Sequence, residues 1–232
     1  MYFFIQSSFI HVAAFTVEGS KLFAEDVVRE QVGGILRNKN IFARILGDEN
    51  ILSWRNSTVT DIPAIFSPNI AEIDIERNLF QRTVLVVLRE REKKAVWCIA
   101  KDGEEQCMWV SEEGWLLGSA PFFEGRVIPI VHERSYRDVV KGEAVISPQE
   151  MKNFLHAFQL LEEVGVTPIS IIVENMRFKE FEIETGEGQK FYFSFLFDPL
   201  YTESVVRSLE DSEEWKTIDY VDLRVENKVY YK

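Results

Sequence analysis

Residues 219–232 read Asp-Tyr-Val-Asp-Leu-Arg-Val-Glu-Asn-Lys-Val-Tyr-Tyr-Lys, and this stretch constrains the fold more than any other. Val221, Leu223 and Val225 fall on one face of an extended chain, and Tyr220, Asp222, Arg224 and Glu226 on the other. A period of two in β-favouring residues is the mark of a half-buried strand. No turn signal follows, so the pattern predicts a single closing strand that carries Tyr220, Asp222, Arg224, Val225, Glu226 and Asn227. A closing strand tends to lie at a sheet edge, where one row of backbone N–H and C=O groups lacks partners. Such an edge is either blunted or used to dock another chain.

The chain has 232 residues, enough for one large domain or two modest ones. Its 18 phenylalanines and 5 tryptophans can fill a real core. A net charge of −12 argues against nucleic acid, whose phosphates need a basic face. The longest apolar run is shorter than the ~20 residues that cross a bilayer. Met1-Tyr2-Phe3-Phe4-Ile5 is apolar and has no signal-peptide features. It reads either as the outer end of a membrane helix lying upstream or as a buried strand, and residues 1–8 are set aside as that anchor end or a linker.

Along the chain, Phe9–Val17 reads as a strand closed by Glu18-Gly19. Ala24–Arg37 has helical spacing, weakened at Gly33-Gly34 by about 1 kcal/mol per glycine relative to alanine. Ile41–Leu46 is apolar and of undecided type. Val59–Phe66 reads as a second short helix, with Pro63 in its first turn and Thr60 or Asp61 as cap. Strands follow at Ile70–Glu76 and Thr83–Arg91. The first ninety residues thus run β-α-α-β-β, a small sheet with two helices on one face.

From Ala95 short strands recur between turn residues, and Asp102-Gly103 is a hairpin signal. Val127–Val131 is a strand that Pro129 assigns to an edge or bulge. Ser147, Pro148 and Glu150 form a capping box ahead of a stripe of Met151, Phe154, Leu155, Phe158 and Leu161, which Gly165 ends. Strands at Ile169–Val173, Phe178–Glu184 and Lys190–Phe197 and a helix at Thr202–Leu209 lead into the closing strand. The fold class is α+β: a small sheet-and-helix domain over 9–92 and a mixed β-sheet domain with flanking helices over 93–232.

Catalytic signatures do not assemble. There is no G-x-S-x-G serine and no phosphate-binding G-x-x-x-x-G-K-S/T loop, and Gly186-x-Gly188 sits in a hairpin. Glu112-Glu113 and Glu162-Glu163 read as solvated charge, and His11, His132 and His156 are scattered. The expectation is no enzyme, no cofactor and no metal. Cys98 and Cys107 flank the Asp102-Gly103 turn, so they are either a cross-strand disulfide or two small buried thiols.

Several segments, in order, resemble the FtsQ/DivIB family of bacterial cell-division proteins. Val17-Glu18-Gly19-Ser20 resembles the end of a POTRA opening strand, and Pro68-Asn69-Ile70-Ala71-Glu72-Ile73 the step into a later POTRA strand. Thr83–Arg91 followed by Ala95-Val96-Trp97 is similar to the family's domain junction, with Lys93 or Lys94 where proline is usual. Val110–Leu116 resembles the next conserved turn, with Ser111 in place of aspartate. Tyr220-Val221-Asp222-Leu223-Arg224 matches the family's last strand.

The resemblance implies a POTRA domain over 9–92 and a β domain that binds FtsB- and FtsL-type partners (DivIC and FtsL in Gram-positive bacteria) by strand addition at its C-terminal edge, through Tyr220, Asp222, Arg224, Val225, Glu226 and Asn227 with Tyr230 as an aromatic anchor. It further implies a single-pass membrane protein, extracytoplasmic in this region, at the division septum, where it helps coordinate septal peptidoglycan synthesis. On this reading a proline at Val225 interrupts the docking edge. The alternative function is a POTRA-type chaperone or transport module that binds outer-membrane or secreted polypeptides.

Overall fold

The computed structural model describes residues 10–19, 23–60, 62, 68–101, 104–121, 128–135 and 138–232. They form two compact units, Met1–Arg91 and Glu92–Lys232. The expected α+β class holds in both.

In the first unit, β1 (Ala14–Glu18), β2 (Ser57–Val59), β3 (Ile70–Asn78) and β4 (Thr83–Glu90) form one sheet in the order β1-β4-β3-β2. β1 lies parallel to β4, and the other pairs are antiparallel. Alternation buries Ile73 and Ile75 of β3 and Val84, Val86 and Leu88 of β4 in one cluster. Val28, Val32 and Leu36 of helix α1 (Glu25–Lys39) complete that core, and helix α2 (Ile41–Leu46) adds Ala43.

Three expectations change here. The first strand starts at Ala14, not at Phe9. Ile41–Leu46 is the second helix, while Val59 belongs to a strand paired with Ile73 of β3. Next to Val59, Thr58 donates its hydroxyl to Asp74 across the ladder at 2.6 Å. The helix expected beyond Val59, with Asp61 and Pro63, lies outside the described residues, apart from Thr60 and Ile62, which are not helical. Helix α1 also runs unbroken through Gly33-Gly34. A Cβ on Gly33 would stand 3.1 Å from the Asp48 Cβ, so the glycine allows α1 to approach the turn there. Arg29 and Arg37 of α1 both reach the Asp48 carboxylate, at 3.8 and 3.6 Å. Close approach outweighs helix propensity at this point.

The second unit carries nine strands: β5 (Lys93–Lys101), β6 (Glu104–Ser111), β7 (Leu116–Ser119), β8 (Ile130–Glu133), β9 (Pro168–Val173), β10 (Glu180–Thr185), β11 (Lys190–Ser194), β12 (Tyr220–Leu223) and β13 (Tyr230–Tyr231). They form one mixed sheet in the order β13-β12-β11-β10-β9-β8-β5-β6-β7. Helix α3 (Pro148–Glu163) has the expected capping box: Ser147 Oγ accepts from the Glu150 N–H, and Glu150 accepts from the Ser147 N–H at 2.8 Å. Met151, Phe154, Ala157, Leu160 and Leu161 are fully buried in one core with Trp97, Phe181 and Phe195. Leu155 and Phe158, expected on the same stripe, flank it and are only partly buried. Helix α4 (Glu203–Glu210) adds Val206 and Leu209.

The expected strand around Pro129 is central, not marginal. β8 lies between β5 and β9, parallel to both. Pro129 precedes the strand by one residue and accepts from the Val96 N–H at 2.9 Å. A proline placed there removes no ladder donor. Phe178 falls in a 3-10 turn ahead of β10 rather than in the strand. Cys98 and Cys107 are directly opposed on β5 and β6, with Cα atoms 4.0 Å apart, and form a disulfide. Among the described residues no helix is long and apolar enough to cross a membrane. The expected anchor end, residues 1–8 with Tyr2–Ile5, lies outside the described residues, as does the Asp102-Gly103 turn.

The disulfide closes a loop of nine residues' separation. Chain entropy over a loop that short gives roughly 2–3 kcal/mol. Reduction with a thiol, or Cys98→Ala with Cys107→Ala, should lower the stability of the second unit by about that amount and leave the first unit unchanged. Amide hydrogen exchange resolved by segment measures both.

Candidate partner-binding edge

The expected closing strand is two strands and a turn. β12 lies parallel to β11, with Phe191 opposite Val221 and Phe193 opposite Leu223. Val221 and Leu223 point into the core and are all but inaccessible, each worth about 1.5–3 kcal/mol on burial. The alternation then fails. Val225 is 44% exposed, and β12 ends at Leu223.

What stops the strand is a side chain folding back on it. Asp222 Oδ1 accepts from the Arg224 backbone N–H at 3.0 Å, an Asx-type turn that competes with continued extension. The Arg224 guanidinium then grips the same carboxylate from Nε at 2.9 Å and Nη2 at 2.6 Å, and its Nη1 reaches Glu180 of β10 at 2.9 Å. The guanidinium also lies over the Tyr192 ring, 5.1 Å from its centroid, while Tyr192 meets Tyr220 edge-on at 6.0 Å. A planar guanidinium can serve two carboxylates and a ring face together, which a lysine cannot. The hydrogen bonds from Arg224 hold the Asp222 carboxyl below the usual carboxylate range against the opposing effect of burial, and the same contacts push Arg224 higher still.

Past Arg224 the chain turns. The Lys228 N–H donates to the Val225 carbonyl at 3.1 Å, and Asn227 has φ +55°, a left-handed conformation that asparagine tolerates. β13 returns antiparallel along β12, with Tyr230 opposite Asp222 and Tyr231 opposite Val221. The Asp219 and Tyr220 N–H groups donate to the Lys232 carbonyl at 2.7 and 3.3 Å, and the Lys232 N–H donates to the Tyr220 carbonyl at 3.3 Å. Val229 packs partly against the core, whereas Tyr230 and Tyr231 are each about half exposed.

Of the residues expected to dock a partner, Tyr220 and Asp222 stand in β12, Arg224 clamps Asp222, and Tyr230 is paired with Asp222. Val225, Glu226 and Asn227 stand in the turn, not in the strand, so a proline at Val225 does not interrupt the edge. Glu180 and Tyr192 were missed. They lie 44 and 32 positions from Arg224 in sequence, and only the pairing of β10, β11 and β12 brings them to it. Val229, Tyr231 and Lys232 show no signal of pairing back, beyond Asn227 as a residue suited to a turn.

The sheet's opposite edge is differently made. The outer side of β7 is covered by 142–144: the Leu116 N–H donates to Glu143 at 2.9 Å, the Gly142 N–H donates to Leu116 at 2.8 Å, and Trp115 bridges Ala144. Buried Val145 and Ile146 anchor that cover. β13 has no such backing, and it ends the sheet among the described residues.

The other groups considered for chemistry have structural partners. His156 Nδ1 lies 2.8 Å from Asp198, whose carboxylate also accepts from the Leu200 N–H and so caps a 3-10 turn. His132 pairs with Glu105 at 2.9 Å, and His11 forms an isolated bridge with Asn50. Glu113 takes the Ser111 hydroxyl, and Glu163 takes the Gln159 amide. No family model matches the chain, and no curated protein matches it.

The Asp222 shift gives a pH dependence. A carboxyl whose folded value lies below its unfolded value of about 3.9 stabilises fully above that pH, and the stabilisation is lost as pH falls through the folded value. Replacing Arg224 by alanine should return Asp222 toward about 3.9 and cost about 1 kcal/mol, a small figure because the pair is partly exposed and screened. Carbon-13 carboxyl titration of both proteins measures it; an unmoved Asp222 would show that the clamp does not set its acidity.

Proposed function

We propose that this chain is a non-enzymatic scaffold of the bacterial division machinery, of the FtsQ/DivIB kind. On this reading it binds FtsB/FtsL-type partners (DivIC and FtsL in Gram-positive bacteria) by strand addition at β12 and so helps coordinate septal peptidoglycan synthesis. The first unit takes the role of a POTRA domain: its strand-helix-helix-strand order is compatible with one, with β2 as an added strand. The chain is held at the septum by a single membrane helix lying upstream, with this region extracytoplasmic.

The observation that carries the reading is the placement of Tyr220-Val221-Asp222-Leu223-Arg224. The segment that resembles the family's partner-binding strand is the last core strand of the sheet, and among the described residues its outer side meets the two-residue β13 and the adjoining Lys232. Main-chain groups on that side would supply affinity, and Tyr220, Asp222 and Arg224 would supply selectivity. The order of the other resembling segments supports it, from Val17–Ser20 through Pro68–Ile73 and Thr83–Arg91 to Val110–Leu116.

Tyr220 is the position that tests it. Its N–H points outward, to Lys232, and not to β11. Proline at Tyr220 therefore removes an edge donor while the inner ladder stays intact, and edge strands accept proline. Tyr220→Pro should weaken capture of FtsB- or DivIC-like partners by at least about tenfold, the loss of roughly one docking hydrogen bond with its geometry, while amide exchange in β10 and β11 is unchanged. Retention of wild-type affinity would remove β12 as the docking edge.

A further inference from the structure

We infer that the segment Lys228–Lys232 is an internal stand-in for the partner strand, so that the docking edge is self-occupied and opens only when this strap leaves. The inference rests on the β12 docking reading and adds to it an occupant, an orientation and a partner chemistry.

The strap occupies the position an added strand would take. It runs antiparallel to β12 in a defined register, Tyr231 on Val221 and Tyr230 on Asp222, and it satisfies the outward N–H groups of Asp219 and Tyr220. Its attachment is slight. Two residues pair, the one apolar anchor is the partly buried Val229, and both tyrosines are half exposed. β12 does not depend on it, because four register pairs to β11 and the buried Val221 and Leu223 hold that strand from the other side. The turn at Val225–Lys228, with Asn227 in the left-handed region, is the natural pivot.

The strap also describes what would replace it. Lys-Val-Tyr-Tyr-Lys is an apolar and aromatic extended segment with a cation at each end, paired along a stretch that carries Asp219 and Asp222, on a chain of net charge −12. The partner segment is accordingly an antiparallel strand with an aromatic residue opposite Val221 or Asp222 and basic flanks. Its binding competes with an intramolecular copy whose effective concentration is millimolar for so short a connection.

The test uses the strap peptide itself as probe. Nitrogen-15 amide spectra are recorded on the full chain and on a variant lacking 228–232, each titrated with acetylated Lys-Val-Tyr-Tyr-Lys. The truncated chain should show saturable shifts at Tyr220, Val221 and Asp222 with a millimolar Kd, and the full chain, whose strap competes at a comparable effective concentration, an apparent affinity about twofold or more weaker. Lys232→Pro, which removes the donor to the Tyr220 carbonyl at unchanged length, should give an intermediate response and serves if the truncated chain does not fold. Equal response of all forms, or none in any, overturns the inference. Binding of FtsB- or DivIC-like proteins to the same variants separates the two ideas. Peptide capture without partner capture keeps the strap and removes the division reading. Equal partner capture by full and truncated chains, with no peptide response, does the reverse.

Discussion

An open sheet must stop somewhere, and the backbone groups on its last strand must then find partners or remain exposed. In the second unit this constraint is met in two ways. At β7 a loop pairs with the edge and is anchored by Val145 and Ile146 in the core. At β12 the cover is a short strap with little buried surface, and the Arg224–Asp222–Glu180 clamp ends the strand before it can lengthen. The first edge is closed by the hydrophobic effect, the second by backbone hydrogen bonds that water can replace at small net cost. The difference in strength makes one edge structural and, on the proposed reading, leaves the other available.

The two flanks differ in covalent restraint as well. Beside the β7 edge, β5 and β6 are stapled by the Cys98–Cys107 disulfide. At the other flank β12 depends on its parallel pairing with β11, on the burial of Val221 and Leu223, and on one guanidinium that joins β12 to β10. Arg224 thus has two roles. It ends the strand locally, and it ties a strand from the end of the chain to one formed some forty residues earlier.

Much of this was legible in the residues. The capping box at Ser147 and Glu150, the apolar stripe of α3, the alternation in β3 and β4 and the inward face of Val221 and Leu223 follow from local periodicity and capping chemistry. What was not legible depends on distant chain. Gly33 looks like a helix breaker until Asp48 is seen against it. Pro129 looks like an edge marker until it is found one residue outside a central strand. Val225 continues the alternation of Val221 and Leu223, yet it lies in a turn, because the Asp222–Arg224 contact outweighs a pattern that no sheet partner supports there. That the chain closes near a sheet edge was anticipated, but β13 was not: two exposed tyrosines after an asparagine carry too weak a signal to reveal a strand that folds back.

The central claim is that a partner strand takes the place of the strap on β12. Amide hydrogen exchange at two positions, in the free chain and with an FtsB- or DivIC-like partner bound, tests it most directly. The Tyr220 N–H points to the docking edge, and the Lys232 N–H reports the strap. The expected result is reciprocal: Tyr220 gains protection of about a hundredfold or more on binding, while Lys232 falls toward the rate of an unstructured peptide. If a bound partner leaves Lys232 protected and Tyr220 unchanged, docking occurs elsewhere and the account is wrong.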